Sequence, residues 1–470
     1  MIDRYLPHSD WALAYFTFEW ILRLVLIAVV LPGRPPASAR IWLLFGFLTP
    51  VPAAIVYAVI GRMRNPPTRA RRERHAAAAR LAWLAQSAGP VAQATPWTGF
   101  VEAIGGNPPS GGNAIRLLTD YGEAVEDLVR AIEGARRQVR VLVYIFADDT
   151  VGRQVIAALA AARKRGVTVQ VMFDAFGSRR WRRPVLAALR SAGIDARACY
   201  LYNPLAGGTG RLDRRNHRKI TVIDDEVAFM GSQNLVARDF RPGVVNHELV
   251  LRIEGPLAAQ LGAQFAADWI GDGGGDPGWP TVPGAVAGTM AAQLLPSGPG
   301  ERDEAYTLLL SRLLQEARHE VLIVSPYTVL DEGLQLAVAT AAMRGVAVTL
   351  LVSAVVDQPL VNLAQEAGYG SLMAAGVTIR RFEQGLLHAK YVLVDRERVV
   401  LGTSNADIRS LRINAEISLV SEDRTLAAML SAVADWHLSH SRQLSTDQWR
   451  ARPLHRRMLQ RIAALASPLL

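Results

Sequence analysis

One pattern occurs twice in this 470-residue chain: His-x-Lys-x4-Asp-x6-Gly-[Ser/Thr]-x-Asn. The first copy comprises His217, Lys219, Asp224, Gly231, Ser232 and Asn234; the second comprises His388, Lys390, Asp395, Gly402, Thr403 and Asn405. A duplication of this kind constrains the chain to two like halves that share one chemistry. Lysine usage sharpens the constraint. Of 52 basic residues only Lys164, Lys219 and Lys390 are lysines, and two of these three stand inside the copies. Arginine is used at nearly every other basic position, so these two places need a compact ammonium. A guanidinium differs in size, hydration and donor geometry and does not replace it.

The pattern makes physical sense on a strand, where side chains at i and i+2 project to the same side. Each Lys is followed by an apolar run, Ile220 to Ile223 or Tyr391 to Val394, which reads as a buried strand ending at its Asp. A second apolar stretch then leads to the Gly-[Ser/Thr]-x-Asn element, and a strand–turn–strand returns its hydroxyl and amide beside the His and Lys. Two facing units would surround one space with two imidazoles, two ammoniums, two hydroxyls and two amides. That set suits a phosphate ester, with one neutral His as nucleophile and the other as general acid. Lys219, Lys390, Asn234 and Asn405, with Ser232 and Thr403, are expected to hold the non-bridging oxygens. Two fixed cations supply what a divalent metal does elsewhere, so neither a metal nor another cofactor is expected.

The repeat extends upstream. Helix–strand–helix–strand patterns end in Arg165-Gly166-Val167 and Arg344-Gly345-Val346, 179 residues apart, while the two motif histidines are 171 apart. This alternation argues an α/β class, with two pseudo-twofold-related sandwich halves and the site across their seam. The expected organisation is a two-helix membrane anchor (1–65), a basic linker (66–112) and a first half (113–272). A Gly/Pro-rich linker (273–299), a second half (300–445) and a basic amphipathic C-terminal helix (446–470) complete it.

On these residues the chain resembles the phospholipase D superfamily, whose paired "HKD" motifs they match, and within it the bacterial cardiolipin synthases. The resemblance runs through Asn216-His217-Arg218-Lys219, Glu254-Gly255-Pro256 and Gly385-Leu386-Leu387-His388-Ala389-Lys390. It continues through Arg409-Ser410-Leu411-Arg412-Ile413-Asn414-Ala415-Glu416 to Ser467-Pro468-Leu469-Leu470. It implies a phosphatidyl-histidine intermediate on His217, His388 as general acid/base, and transfer of the phosphatidyl group from one phosphatidylglycerol to the glycerol hydroxyl of another. A nucleophilic imidazole needs its second nitrogen held, usually by a carboxylate. Glu248 lies 31 residues after His217 and Glu416 lies 28 after His388. The resemblance implies that acids at this offset orient the histidines. Asp224 and Asp395 complete the catalytic set as groups that fix the lysine and the strand, not as proton carriers.

Trp11 to Leu31 and Ile41 to Ile60 are apolar segments of about the 20 residues that cross a bilayer. The second holds Pro50 and Pro52; the first holds Glu19 and Arg23 at i, i+4. Six arginines between Arg62 and Arg74 outnumber Arg34 and Arg40 in the short connection. The positive-inside tendency therefore places the catalytic halves in the cytoplasm, on a multi-pass protein of the bacterial inner membrane. The lone Cys199 excludes an intrachain disulfide.

The net charge of +10 needs an anionic partner. It concentrates at Arg62–Arg74, at Arg179 to Arg183, at Arg211–Arg218 and in the C-terminal helix, which beside membrane segments reads as attraction to anionic phospholipids. Two other readings share these residues: a phospholipase D hydrolase releasing phosphatidic acid, and a membrane-tethered nuclease or nucleic-acid-binding protein. Nucleic acid is not the expected partner, because aromatics make up only 7% of the chain and no basic groove with stacking aromatics is legible.

Overall fold

The computed structural model describes the chain except residues 1–9, 33–35, 62–66, 88–93, 202–213, 282–283, 303 and 466–470. Parts of the Arg62–Arg74 and Arg211–Arg218 clusters and the terminal Ser467 to Leu470 thus lie outside the described residues. The chain divides into two compact units, residues 1–70 with 202–214 and residues 71–201 with 215–470.

In the first unit, Asp10–Val30 forms one helix of 21 residues. Glu19 and Arg23 pair at 3.0 Å, and the Arg23 Nε also donates to the Phe47 carbonyl at 3.2 Å. The second apolar segment departs from the expected single span. It forms Pro36–Leu48, breaks at Thr49, resumes as Pro50–Val56 and ends in a π-turn at Tyr57–Gly61. Pro50 and Pro52 have no N–H to donate to the preceding turn, which is why the ladder is interrupted there. Among the described residues, Asp10–Val30 is the one helix long and apolar enough to cross a membrane.

The second unit is built on strands. The first motif's half supplies β1 (Ser110–Leu118), β2 (Gln138–Val143), β3 (Thr168–Asp174), β4 (Asp195–Cys199), β5 (Ile220–Ile223), β6 (Val227–Gly231), the two-residue β7 (Asn246–His247) and β8 (Val250–Glu254). The second supplies β9 (Met290–Ser297), β10 (Glu320–Val324), β11 (Thr328–Val329), β12 (Ala347–Ser353), β13 (Thr378–Phe382), β14 (Leu386–Leu387), β15 (Tyr391–Val394), β16 (Arg398–Gly402), β17 (Ala406–Asp407), β18 (Glu416–Ser421) and β19 (Ser441–Gln443). Among the described residues, fifteen of these form one sheet in the order β19-β13-β12-β10-β15-β16-β18-β9-β1-β8-β6-β5-β2-β3-β4. Outward from the β9–β1 pair, β18, β16, β15, β10, β12 and β13 on one side correspond to β8, β6, β5, β2, β3 and β4 on the other. β9 falls inside the stretch expected as a linker. It pairs antiparallel with β18 on one side and β1 on the other, which continues the sheet across both halves, and Ala292, Leu294 and Leu295 are buried in the cores on its faces.

Helices cover both faces. Pro256–Gly271 and Arg424–Ser439 pack one face near the middle of the sheet through Leu257, Leu261, Phe265, Trp269, Leu426 and Leu430. The other face is covered by Tyr121–Glu133 and Thr150–Lys164 on the first half, and by Ala305–Glu316 and Glu332–Met343 on the second. Pro256–Gly271 has 13 buried residues out of 16, so it is apolar all round, as a helix enclosed by protein must be.

The glycines of the two motifs have a local cause. A Cβ on Gly231 or Gly402 would run into the carbonyl oxygen of Leu249 or Ile417 on the neighbouring strand. The β5–β6 and β15–β16 turns have equally specific needs. Asp224 and Asp225 have φ of 54° and 59°, and Asp395 and Arg396 have 52° and 55°. Positive φ at both central positions is the hairpin geometry that matches strand twist, and Asp tolerates it better than most residues.

Candidate active site

Backbone pairing between the halves positions the two histidines. His217 immediately precedes Arg218-Lys219 and β5; its N–H donates to the Ala415 carbonyl at 2.8 Å, and Ala415 N–H donates to the Arg215 carbonyl at 2.8 Å. On the other side β7 pairs in parallel with β14, and His388 N–H donates to the His247 carbonyl at 2.7 Å. Each histidine is therefore stitched beside the residue that precedes the glutamate of the opposite half.

The side chains follow. His217 Nδ1 lies 2.9 and 3.0 Å from the two carboxylate oxygens of Glu416, and His388 Nδ1 lies 2.8 Å from both oxygens of Glu248. A linear reading pairs each acid with the histidine that precedes it; the fold exchanges them. With Nδ1–H donated to a carboxylate, Nε2 of each ring keeps its lone pair. Burial pushes both histidines down to about 4, against the pull of the glutamates, so both rings are neutral near pH 7. Burial acts upward on Glu248, but His388 and Lys390 outweigh it and hold the carboxyl at about 2. Glu416 is held down in the same way by His217 and Lys219.

Lys219 and Lys390 are buried, and each folds back to donate from Nζ to the carbonyl of its own motif histidine, at 2.8 and 2.5 Å. Three N–H bonds per ammonium less this one leave two for a ligand. Burial, with a further push from Lys390, lowers Lys219 to about 7, and burial lowers Lys390 to about 8. The fold thus holds two cations at a strained degree of protonation where an anion would restore their charge.

Other expected site residues have different partners. Thr403 donates to Glu416 at 2.6 Å and accepts Ile417 N–H at 3.0 Å, while Ser232 accepts Leu249 N–H at 2.8 Å and helps hold Glu248 down. These hydroxyls are turned to the glutamates and the strand, not to an open phosphate position. Asn234 accepts Ile145 N–H at 3.0 Å, and Asn405 donates to Asp407 at 3.0 Å.

Asp224 and Asp395 are a clearer correction. Asp224 accepts the N–H groups of Arg136, Arg137 and Gln138 at 2.7–2.8 Å, and Asp395 those of Arg318, His319 and Glu320 at 2.8–2.9 Å. Each lies past a four-residue strand from its lysine, about 16 Å away along the chain at ~3.3 Å per residue. They fasten the β5–β6 and β15–β16 turns to the starts of β2 and β10, the strand-fixing part of their expected role, and their carboxylates are bonded there, not to the motif lysines. Asp224→Asn or Asp395→Asn should accordingly lower thermal stability, by about 1.5–3 kcal/mol for weakened charge-assisted bonds. Turnover of the folded enzyme at low temperature should stay near the parent; its collapse with an unchanged melting temperature would overturn this assignment.

Three contributors were not assigned from the sequence. Ser410 donates to Glu416 at 2.8 Å, and the ring of Tyr144 meets His217 edge-on with centroids 4.9 Å apart. Arg218 is buried, donates to the carbonyls of Glu416 at 2.9 Å and Ser297 at 3.2 Å, and pairs with Asp268. It ties the strand carrying Glu416 to the loop carrying His217. Ser410 stood within a stretch already singled out, whereas Tyr144 carried only the signal of an aromatic at the end of an apolar strand. Among the described residues, no group of three or more His, Cys, Asp or Glu has metal-holding geometry.

Comparison with known proteins gives a consistent picture. Residues 128–269 and 310–438 match the family described as cardiolipin synthase, PLD-like domain. The chain is 33% identical over 480 residues to cardiolipin synthase A of Proteus mirabilis, covering 97% of this chain and 98% of that protein. It is 34% identical to cardiolipin synthase A of Salmonella arizonae, covering 97% and 99%. Among solved structures, phosphatidylserine synthase of Haemophilus influenzae shares the fold with a TM-score of 0.58 at 15% identity, over 76% of this chain and 95% of that one. Polyphosphate kinase of Porphyromonas gingivalis does so with a TM-score of 0.50 at 15% identity, over 76% and 53%.

Proposed function

Since the chain belongs to the family of cardiolipin synthases with PLD-like domains, we propose that it is a phosphatidyltransferase making cardiolipin and glycerol from two phosphatidylglycerol molecules. The observation that carries the chemistry is the exchange of carboxylates, which leaves two neutral imidazoles with free Nε2 atoms beside two buried ammoniums.

In the first step His217 Nε2 attacks phosphorus and the bond to the headgroup glycerol oxygen breaks. The leaving oxygen takes the Nε2 proton of His388, which that ring takes up from solvent as the anionic diester binds beside it and gives up to return to its neutral form. Glu416 balances the positive charge on the phosphatidyl-imidazolium, while Lys219 and Lys390 meet the non-bridging oxygens as charge builds. In the second step the glycerol hydroxyl of another phosphatidylglycerol gives its proton to His388. Its oxygen then attacks phosphorus and His217 leaves. The division between nucleophile and proton carrier follows the family resemblance: Glu416 accepts from Thr403 and Ser410 as well as His217, and Glu248 from His388, Ser232 and, more weakly, Asn246 at 3.3 Å.

The proposal includes two pseudo-twofold-related halves, supported by the matched strand orders. It also includes a membrane anchor of more than one pass with the catalytic halves on the cytoplasmic side of a bacterial inner membrane. The apolar Asp10–Val30 helix, the bent apolar stretch after it and the arginines that follow support this topology.

The test uses purified chain in mixed micelles of phosphatidylglycerol with chelator and no added metal, products being followed by mass spectrometry. Cardiolipin with equimolar glycerol, lost in His217→Ala, is the expected result. Phosphatidic acid alone would make the protein a hydrolase, and no lipid turnover at all would remove the reading.

A further inference from the structure

The helix Leu454–Leu465 is built inside out. Its inward side carries Arg456, Gln460 and Ala463, at spacings of four and three residues. Arg456 and Gln460 both close on the buried carboxylate of Glu366, at 2.9 and 2.7 Å, and Arg381 reaches the same group at 3.1 Å. Arg452 adds a bond to Gln460 at 2.6 Å and stacks its guanidinium on Trp449. The helix is thus fixed to the rest of the unit by its polar side. At 100° per residue, Leu454, Met458, Ile462 and Leu465 fall within one arc opposite that side. They are 72%, 56%, 59% and 78% exposed. An amphipathic helix on a globular domain normally shows the reverse, apolar side in and polar side out.

We infer that this outward face docks on an anionic lipid bilayer, with the four apolar side chains entering the boundary between headgroups and acyl chains. Charge selects this occupant. Arg457 and Arg461 project along one edge of the apolar arc, and the helix contains no acidic residue. Two copies of such a face brought together would oppose like charges, whereas anionic headgroups complement them. On the inner flank, a cavity of about 340 Å³ is lined by Arg381, Arg442, Arg452 and Arg456 against Glu366 and Glu383, so the surroundings are basic as well. The Glu366 clamp gives the face a fixed outward orientation, and the docking does not depend on which lipid reaction the catalytic site performs.

The test places a polarity-sensitive fluorophore at Met458→Cys in the full chain. Cys199 is buried and stays unlabelled. The labelled protein is reconstituted in nanodiscs of phosphatidylcholine, alone or mixed with phosphatidylglycerol, with some lipids carrying a nitroxide on the upper acyl chain. The expected result is a blue shift with nitroxide quenching at least threefold stronger in the anionic discs, reduced by Arg457→Glu/Arg461→Glu. Turnover in detergent micelles should be unaffected by these surface changes, which serves as the folding control. Equal access of aqueous iodide in every disc would overturn the inference. So would protection that ignores the nitroxide lipid and appears only with two chains per disc, since a second copy would then cover the face.

Discussion

Glu416→Gln is expected to slow cardiolipin formation by about 10³–10⁴-fold, the scale seen when a carboxylate that holds a catalytic imidazole loses its charge. The substitution keeps the size of the side chain and can keep a bond to His217. It removes the negative charge that balances the imidazolium once His217 is joined to phosphorus. It also disturbs the tautomer, because an amide among Thr403, Ser410 and His217 can present N–H where only an acceptor fits. Glu248→Gln should be comparably slow with phosphatidylglycerol, where the leaving alkoxide needs a proton from His388. A phosphatidyl ester with a phenol leaving group separates the two variants, because a phenolate departs without help. With that substrate Glu248→Gln should release one equivalent of phenol and stall as a covalent adduct, while Glu416→Gln should give neither burst nor adduct. Acid-quenched single-turnover measurements read this directly. Turnover of Glu416→Gln within tenfold of the parent would remove the carboxylate from the mechanism, and the opposite burst pattern would exchange the roles of the two histidines.

The exchange of glutamates between halves is also where sequence reading stopped short. Both acids are legible by their offset from a motif histidine. Sequence distance, however, does not report that His217 bonds through its backbone to Ala415 and His388 to His247. Long-range pairing between two copies of one unit can be satisfied within a copy or across copies, and local pattern is the same for both. The motif aspartates were only half legible. A carboxylate directly after a buried strand reads as a group that fixes the strand and its lysine, and the structure shows the local need it meets: a turn with positive φ and three N–H groups at the start of the neighbouring strand. Ser232 and Thr403 went the same way, because a hydroxyl beside a phosphate position and one beside a carboxylate have the same signature. What was legible was whatever depends on period and repetition. The buried strands Ile220 to Ile223 and Tyr391 to Val394, the strand–helix alternation and the histidine–lysine spacing all appear in the structure as read. Pro50 and Pro52 stand inside the apolar run that reads as one span, and the break they impose appears only in three dimensions.

Lys219→Arg or Lys390→Arg should abolish turnover to about one part in 1,000 or less, although formal charge is preserved. Each ammonium is nearly inaccessible to solvent, at 4% and 2%, and donates back to the carbonyl of its own histidine. A guanidinium in that space needs five N–H partners where three were required, and its planar fork cannot both curl back to the carbonyl and face a phosphate. Loss of one such donor to a developing anion costs about 10²–10³-fold before any misfit of the surrounding strands is added. Lys164 is exposed on a helix, so Lys164→Arg should be silent and serves as the control. The pH profile supplies a second, independent signature. Burial lowers Lys219 to about 7 and Lys390 to about 8, so in the free enzyme both lose their protons as pH rises through that range. The ammonium is the required form, hence kcat/KM should fall on the alkaline side from about pH 7–8. On the acid side it should fall as His217 protonates near 4 and loses the lone pair that attacks phosphorus. Arginine does not discharge in this range and each variant keeps one lysine, so any residual activity of Lys219→Arg should fall only near 8 and that of Lys390→Arg only near 7. Measured in phosphatidylglycerol micelles from pH 4 to 9.5, near-parental turnover of either variant would defeat the requirement for a compact ammonium. A parent profile flat to 9.5 would show that the lysines are not titrating where their burial places them.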